Sequence, residues 1–262
     1  MSLRPLLLTA LVFLASGCLE QQSLVVAATA REKPGVVFLD SGIGGISPLA
    51  PAAKVALPLA GVDHELREFA WQHGKGHHIR DLQDKENIRE KAAELAQLIR
   101  DLHEREPNRR VYLVGHSAGT AIVVQAAELL PPNSIERIIL LSSALSPNYD
   151  LTAALRATRG QIVTFYSQAD RMMLDWGTTW FGTADRLYGS AAGLRGFVQP
   201  ANLDDAGKRA YEQQVVQVPW TVDKAFELQG GWHHSTTMPW FLARQVAPWL
   251  KDPAPSGDNK PE

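Results

Sequence analysis

The sequence predicts an α/β domain with a mostly parallel sheet covered by helices on both faces. Short apolar runs at 36–39, 111–114, 135–141 and 162–166 have the length of strands and lack polar alternation, as strands buried on both sides do. Helix-length amphipathic segments separate several of them. Glycine-rich turns at 42–45 and 115–119 follow two of the runs directly. Strands that alternate with helices imply parallel pairing, because each parallel strand must be reached by a crossover.

Taken in order, residues 19–33 read as a tether, in which Leu24 to Ala28 could add an edge strand, and the folded domain (34–252) begins at Pro34. The first strand, Val36-Val37-Phe38-Leu39, runs toward the turn Gly42-Ile43-Gly44-Gly45, and residues 66–71 form a second, weaker strand. Residues 84–105 predict an amphipathic helix: Ile88, Ala92, Leu95, Leu98, Ile99 and Leu102 recur at helical spacing, and Pro107 stops it. A buried strand at 111–114 then meets a glycine-flanked turn and a helix over 118–130, which Pro131-Pro132 ends. Further strands are expected at 135–141, 162–166 and 213–218, with a closing helix over 239–250 and a disordered tail at 253–262.

Composition narrows the function. The chain of 262 residues has 45% hydrophobic and 21% charged residues and a formal net charge of −2. No basic stripe offers a surface to a phosphate backbone, so nucleic acid is not an expected partner. Met1 to Arg4 is a positively charged start, and residues 5–15 are apolar. That run is too short for a bilayer span of ~20 residues but suits a signal peptide, here 1–17. It ends in Ala15-Ser16-Gly17-Cys18, which resembles the lipobox of bacterial lipoproteins. Cys18 is the only cysteine, and the resemblance implies that it is lipidated and anchors an exported protein to a membrane of the cell envelope. Ala28-Thr29-Ala30 offers an alternative cleavage site that would release a soluble secreted protein.

The chemistry centres on Gly115-His116-Ser117-Ala118-Gly119. A G-x-S-x-G sequence that follows an apolar strand and opens a helix places its serine on a sharp turn at the carboxyl edge of the sheet. The glycines keep side chains out of the turn, and the helix start offers backbone donors to a developing oxyanion.

On this motif and its setting the chain resembles the α/β-hydrolase family over residues 35–250, and the resemblance implies a nucleophile, an acid and a histidine in that order. Ser117 is then the nucleophile. Asp170, after the strand at 162–166, is the acid, with Asp150 in reserve. The base lies in Gly230-Gly231-Trp232-His233-His234-Ser235; His234, beside the small residues Ser235-Thr236-Thr237, is favoured, and His233 is the alternative. The expected oxyanion donors are the backbone N–H of Ala118 and one from the loop after the first strand, Ile43 or Gly44, with Gly44 preferred. The family's strands before the oxyanion strand have almost no room here, so the sheet is expected to be reduced at its N-terminal edge.

Competing motifs fall away. Residues 36–49 look like the start of glutamate racemases, but that chemistry needs two thiols. Asp40-Ser41-Gly42 resembles an aspartic-protease loop, which needs a second such motif. His64, His73, His77 and His78 fit no metal-ligand spacing, so no metal or other cofactor is expected. Trp176, Trp180, Phe181, Tyr188 and Phe197 are expected in the core or in a substrate pocket. The resulting expectation is a serine hydrolase that cleaves a small or lipid-like carboxylic ester, or an amide or thioester, through an acyl-serine. The rival is a lipid-anchored binding or scaffold protein on an inactive hydrolase fold.

Overall fold

Residues Gly35–Asp40 (β1) are all buried. Their side chains alternate, Val36 and Phe38 into one hydrophobic layer and Val37 and Leu39 into the other. A strand apolar on both faces needs a cover on each, and the rest of the fold supplies it. In this computed structural model of the chain, the described residues are 33–45, 48–170, 190–221 and 230–251. The expected signal segment, Cys18, the expected tether up to residue 32, Trp176, Trp180, Phe181, Tyr188 and residues 252–262 lie outside them.

The remaining elements are α1 (Leu49–Leu59), β2 (Glu65–Phe69), α2 (His78–Gln83), α3 (Lys85–Arg105), β3 (Arg110–His116), α4 (Gly119–Glu128), β4 (Arg137–Leu141), α5 (Thr152–Ala157), β5 (Ile162–Tyr166), α6 (Ala192–Arg195), α7 (Asp205–Gln214) and β6 (Val215–Pro219). A last helical run over 239–251 contains one π turn, Leu242–Val246. The six strands make one parallel sheet in the order β2-β1-β3-β4-β5-β6. Helices α3, α4 and α5 pack on one face of the sheet, and α1 with the closing run covers the other. This is an α/β-hydrolase fold. Among the described residues, which begin at 33, no strand precedes β1.

Most elements start where local chemistry says they should. Asp84 caps α3 by accepting the N–H of Asn87 at 3.0 Å. Its apolar stripe, Ile88, Ala92, Leu95, Ala96, Ile99 and Leu102, is buried, while Leu98 is partly exposed. Other boundaries shift. Helix α1 was not expected, because Pro51 and Pro58 interrupt its sequence; Pro51 falls in the first turn, where its missing N–H is harmless. Strand β6 begins at Val215 rather than at 213, because Gln213 and Gln214 complete α7, whose cap is Asp204 bonded to the Gly207 N–H.

One residue of β1 is out of keeping with its surroundings. The Asp40 carboxyl is fully buried under the start of α4, and its oxygens have no hydrogen-bond partner among the described residues. Burial pushes its pKa well above the usual carboxylate range. An acid whose folded pKa is raised supports the fold fully below its unfolded value, ~3.9, and loses that support as pH rises through the folded value. The near-isosteric Asp40→Asn does not titrate. Its thermal midpoint relative to wild type is therefore expected to climb between pH 4 and pH 8, by a few degrees in all. Melting curves across that range check this, and a difference that stays flat with pH would refute it.

Candidate active site

Strand β3 ends in His116, and the chain turns at once into α4. Ser117 sits on that turn with φ 55. Such a backbone costs a residue other than glycine on the order of 1–3 kcal/mol, so neighbouring contacts must hold it. The Ser117 N–H donates to the Leu141 carbonyl at 2.9 Å, and its own carbonyl accepts from the Thr120 hydroxyl at 2.6 Å and the Thr120 N–H at 3.1 Å. The motif glycines are needed for contact. A Cβ on Gly115 would lie 2.8 Å from the Thr120 Cα, and one on Gly119 would lie 2.6 Å from the carbonyl oxygens of Asp40 and Ser41. The first turn of α4 thus rests directly on the end of β1.

Asp170 follows β5 and is buried. His233 lies in the loop ahead of the closing helix. Its Nδ1 is 2.8 Å from Asp170 Oδ2, and its Nε2 is 2.9 Å from Ser117 Oγ. When Asp170 is ionised it can only accept, so Nδ1 then carries the hydrogen and the Nε2 lone pair points at the serine hydroxyl. The sequence preference for His234 is corrected by this geometry. Its side chain is exposed and stands with its ring 5.2 Å from that of His233. The reason is local. Gly231, at φ 65, turns the chain, and Ser235–Thr237 folds into a buried 3-10 turn that His234 caps. The small residues that favoured His234 close that turn instead, with Ser235 Oγ bonded to the Trp232 carbonyl and Thr237 Oγ1 to that of His234. Asp150, the reserve acid, is spent on the start of α5, where it accepts the N–H and hydroxyl of Thr152.

His116, the variable residue of the pentapeptide, was not singled out from sequence. It is buried, and its Nε2 donates to the His233 carbonyl at 3.1 Å. Ser142, another residue of positive φ (48), directs its hydroxyl to the same carbonyl at 3.3 Å. These bonds tie the histidine loop to the ends of β3 and β4. Burial holds the His116 pKa well below the ordinary imidazole value, with His233 adding to the effect. The signal that would have found it is its register: a polar ring at the last position of a fully buried strand needs a partner.

Of the two residues expected to give the second oxyanion donor, Ile43 and Gly44, the preferred one is otherwise engaged. The Gly44 N–H is taken by Asp81 Oδ2 at 2.7 Å. Gly42 stands beside the nucleophile, since a Cβ there would lie 3.0 Å from Ser117 Cβ and 3.4 Å from its Oγ. Ala118 caps α4, and its N–H has no backbone partner among the described residues. The clustered histidines take separate places. His64 stacks on Tyr112 and bonds the Leu250 carbonyl, His73 lies between Asp81 and Asp84, and His77 and His78 line a surface groove beside α2. Phe197 is buried in the layer that holds α3 and α4.

Burial dominates the electrostatics. It pushes the Asp170 carboxyl up to about 8 and the His233 imidazole down to about 3, with the neighbouring His234 as the smaller influence on each. Two groups bonded at 2.8 Å titrate as one unit. Besides the Nδ1 hydrogen, the pair therefore holds one further ionisable proton over a broad range and sheds it late.

Residues 65–176 match the family model described as "Serine aminopeptidase, S33". No curated protein matches the chain significantly. Among solved structures the chain is similar to an esterase of Pyrococcus furiosus, at 11% identity over 83% of this chain and 82% of that one, TM-score 0.46. It is also similar to a lipase-esterase related protein of Clostridium acetobutylicum, at 11% identity over 83% and 95%, TM-score 0.48. A third is the catalytic core domain of acetyl xylan esterase from Trichoderma reesei, at 11% identity over 84% and 98%, TM-score 0.43.

Because only His233 reaches Ser117, the two histidines are expected to differ sharply on substitution. His233→Ala should abolish labelling of Ser117 by a fluorophosphonate, whereas His234→Ala should keep the labelling rate within about tenfold of wild type. The reverse result would return the base to His234.

Proposed function

We propose that the chain is a serine hydrolase that cleaves a carboxylic ester through an acyl-Ser117 intermediate, exported and anchored by a lipid on Cys18. The observation that carries the activity is the hydrogen-bonded series Asp170–His233–Ser117, ending on a serine of positive φ at a helix start. The lipobox-like Ala15-Ser16-Gly17-Cys18 after an apolar run supports the anchor.

Ser117 Oγ attacks the acyl carbon as His233 Nε2 takes its proton, and Asp170 holds the imidazole in the tautomer that leaves Nε2 free. The carbonyl oxygen becomes an oxyanion facing the N–H of Ala118 and an N–H of the Gly42–Ile43 stretch. The C–O bond of the ester breaks, and His233 returns the proton to the departing alcohol. Water, deprotonated by the same imidazole, then hydrolyses the acyl-serine. An amide would follow the same steps. The description of the matched family names a peptidase, so aminoacyl anilides belong in the assay beside aryl esters of increasing acyl length.

In the decisive experiment, wild type takes one fluorophosphonate on Ser117 and turns over a short aryl ester, while folded Ser117→Ala does neither. Labelling that persisted in the variant would sink the assignment. The pH profile is a second check. In the working form Asp170 is ionised and His233 is neutral, with Nδ1–H still donated to the carboxylate; it is reached by loss of one further proton from the pair, so kcat/KM rises with pH. Burial of Asp170, pushed up to about 8, places that rise above the ordinary imidazole value of ~6.5. A rise centred well below 6 would contradict it.

A further inference from the structure

The loop that faces Ser117 is gripped from behind. Trp71 Nε1 donates to the Ser41 carbonyl at 2.7 Å. Gln72 Nε2 donates to the Gly42 carbonyl at 2.7 Å and to that of Ser41 at 3.3 Å. Asp81 is fully buried and accepts the Gly44 N–H at 2.7 Å, the His73 N–H at 2.9 Å and, at 2.8 Å, His73 Nδ1. The Gly76 N–H donates to the Gly44 carbonyl at 3.0 Å. The peptide groups that follow Ser41 and Gly42, and the N–H of Gly44, are therefore each held by the segment after β2.

We propose that Gln72 and Asp81 are positioning residues that aim the Gly42–Ile43 peptide N–H at the oxyanion. The inference rests on the hydrolase reading given above. A trans peptide is planar, and its C=O and N–H point in opposite directions. Fixing the Gly42 carbonyl on Gln72 therefore fixes the Ile43 N–H on the side away from Gln72. A Cβ placed on Gly42 would lie 3.0 Å from Ser117 Cβ and 3.4 Å from its Oγ, so that N–H belongs to the stretch of backbone beside the nucleophile. Asp81 completes the grip. By taking the Gly44 N–H it removes that group from the oxyanion and pins the far end of the turn, where Gly44 (φ 86) and Gly45 (φ 61) adopt backbone that only glycine takes readily. Asp81 in turn is held by His73, whose Nε2 lies 3.1 Å from Asp84 Oδ2 at the start of α3. The donor is thus fixed through side chains to a long, well-packed helix, and needs no rearrangement as charge develops.

The test compares an alkyl trifluoromethyl ketone, which forms a tetrahedral oxyanion on the serine, with the matching methyl ketone, which binds only as a ground-state analogue. In Gln72→Glu an acceptor replaces the donor against two carbonyl oxygens. A lost oxyanion donor costs ~10²–10³ in rate, and a misaimed one is expected to cost ~10–10². Expected are a fall of that size in kcat/KM, an equal fall in affinity for the trifluoromethyl ketone, and methyl ketone affinity within about twofold of wild type. Gln72→Ala and Asp81→Asn should show the same split to a smaller degree, and they carry the test if Gln72→Glu fails to fold. Equal loss of both ketones would mark a merely structural role and overturn the proposal, as would loss of activity with trifluoromethyl ketone affinity intact, or no effect at all. Fluorophosphonate still titrating one Ser117 per chain in the variants shows that the nucleophile survives. A wild type that takes neither the label nor the fluorinated ketone would remove the hydrolase reading and this proposal together.

Discussion

The site depends on how closely the first turn of α4 approaches the end of β1. Gly119 rests on the carbonyl oxygens of Asp40 and Ser41, with no room for a Cβ. That contact sets the distance between the serine turn and the glycine loop, and so brings Gly42 against Ser117. It also seals Asp40 beneath the helix, away from water. A larger residue at 119 would push the nucleophile away from the oxyanion loop even if the serine turn itself survived. Ser117 bears the backbone strain, but β1 and the loop after it provide the surface that the strained residue works against.

The centre of the sheet was legible in the sequence because its strands are apolar on both faces, a pattern that needs no tertiary information. Ser117 was legible for the same reason: a short motif was framed by a strand and a helix whose periods are plain. Asp170 followed from its place after β5. The base was legible only to within one residue. Choosing between His233 and His234 required the φ of Gly231 and the 3-10 turn at 235–237, and single-residue turn geometry leaves little trace in side-chain pattern. The same limit applied to the glycine loop. Nothing in Gly42-Ile43-Gly44-Gly45 says that a carboxylate nearly forty positions downstream in sequence claims one of its N–H groups. Helix α1 was hidden differently, by prolines that usually end helices but here fall in the first and last turns.

The buried charges and rings follow one physical theme. Asp40, Asp170, His116 and His233 are all shifted by burial toward their uncharged forms. A dry site strengthens every remaining dipole, so a few backbone N–H groups act with more effect than they would in water. It also makes the arrangement of hydrogen bonds decisive. Among the described residues the His233 carbonyl has three side-chain partners: His116 at the end of β3, Ser142 just after β4, and Thr236 of its own loop. A loop tied this way can hold an imidazole within a narrow range of orientations although it is not part of a strand or long helix.

The strand order has one further consequence, at β2. Among the described residues this strand has a neighbour on one side only, so its outer backbone groups could template pairing with another chain. Its sequence, ELREF, places charge at three of five positions. Glu65 is bridged to Arg67 and Arg109, and Glu68 lies 3.8 Å from Lys54. A foreign strand docking there would have to strip water from these charges and break their pairs. These paired charges therefore disfavour the addition of a strand at this edge.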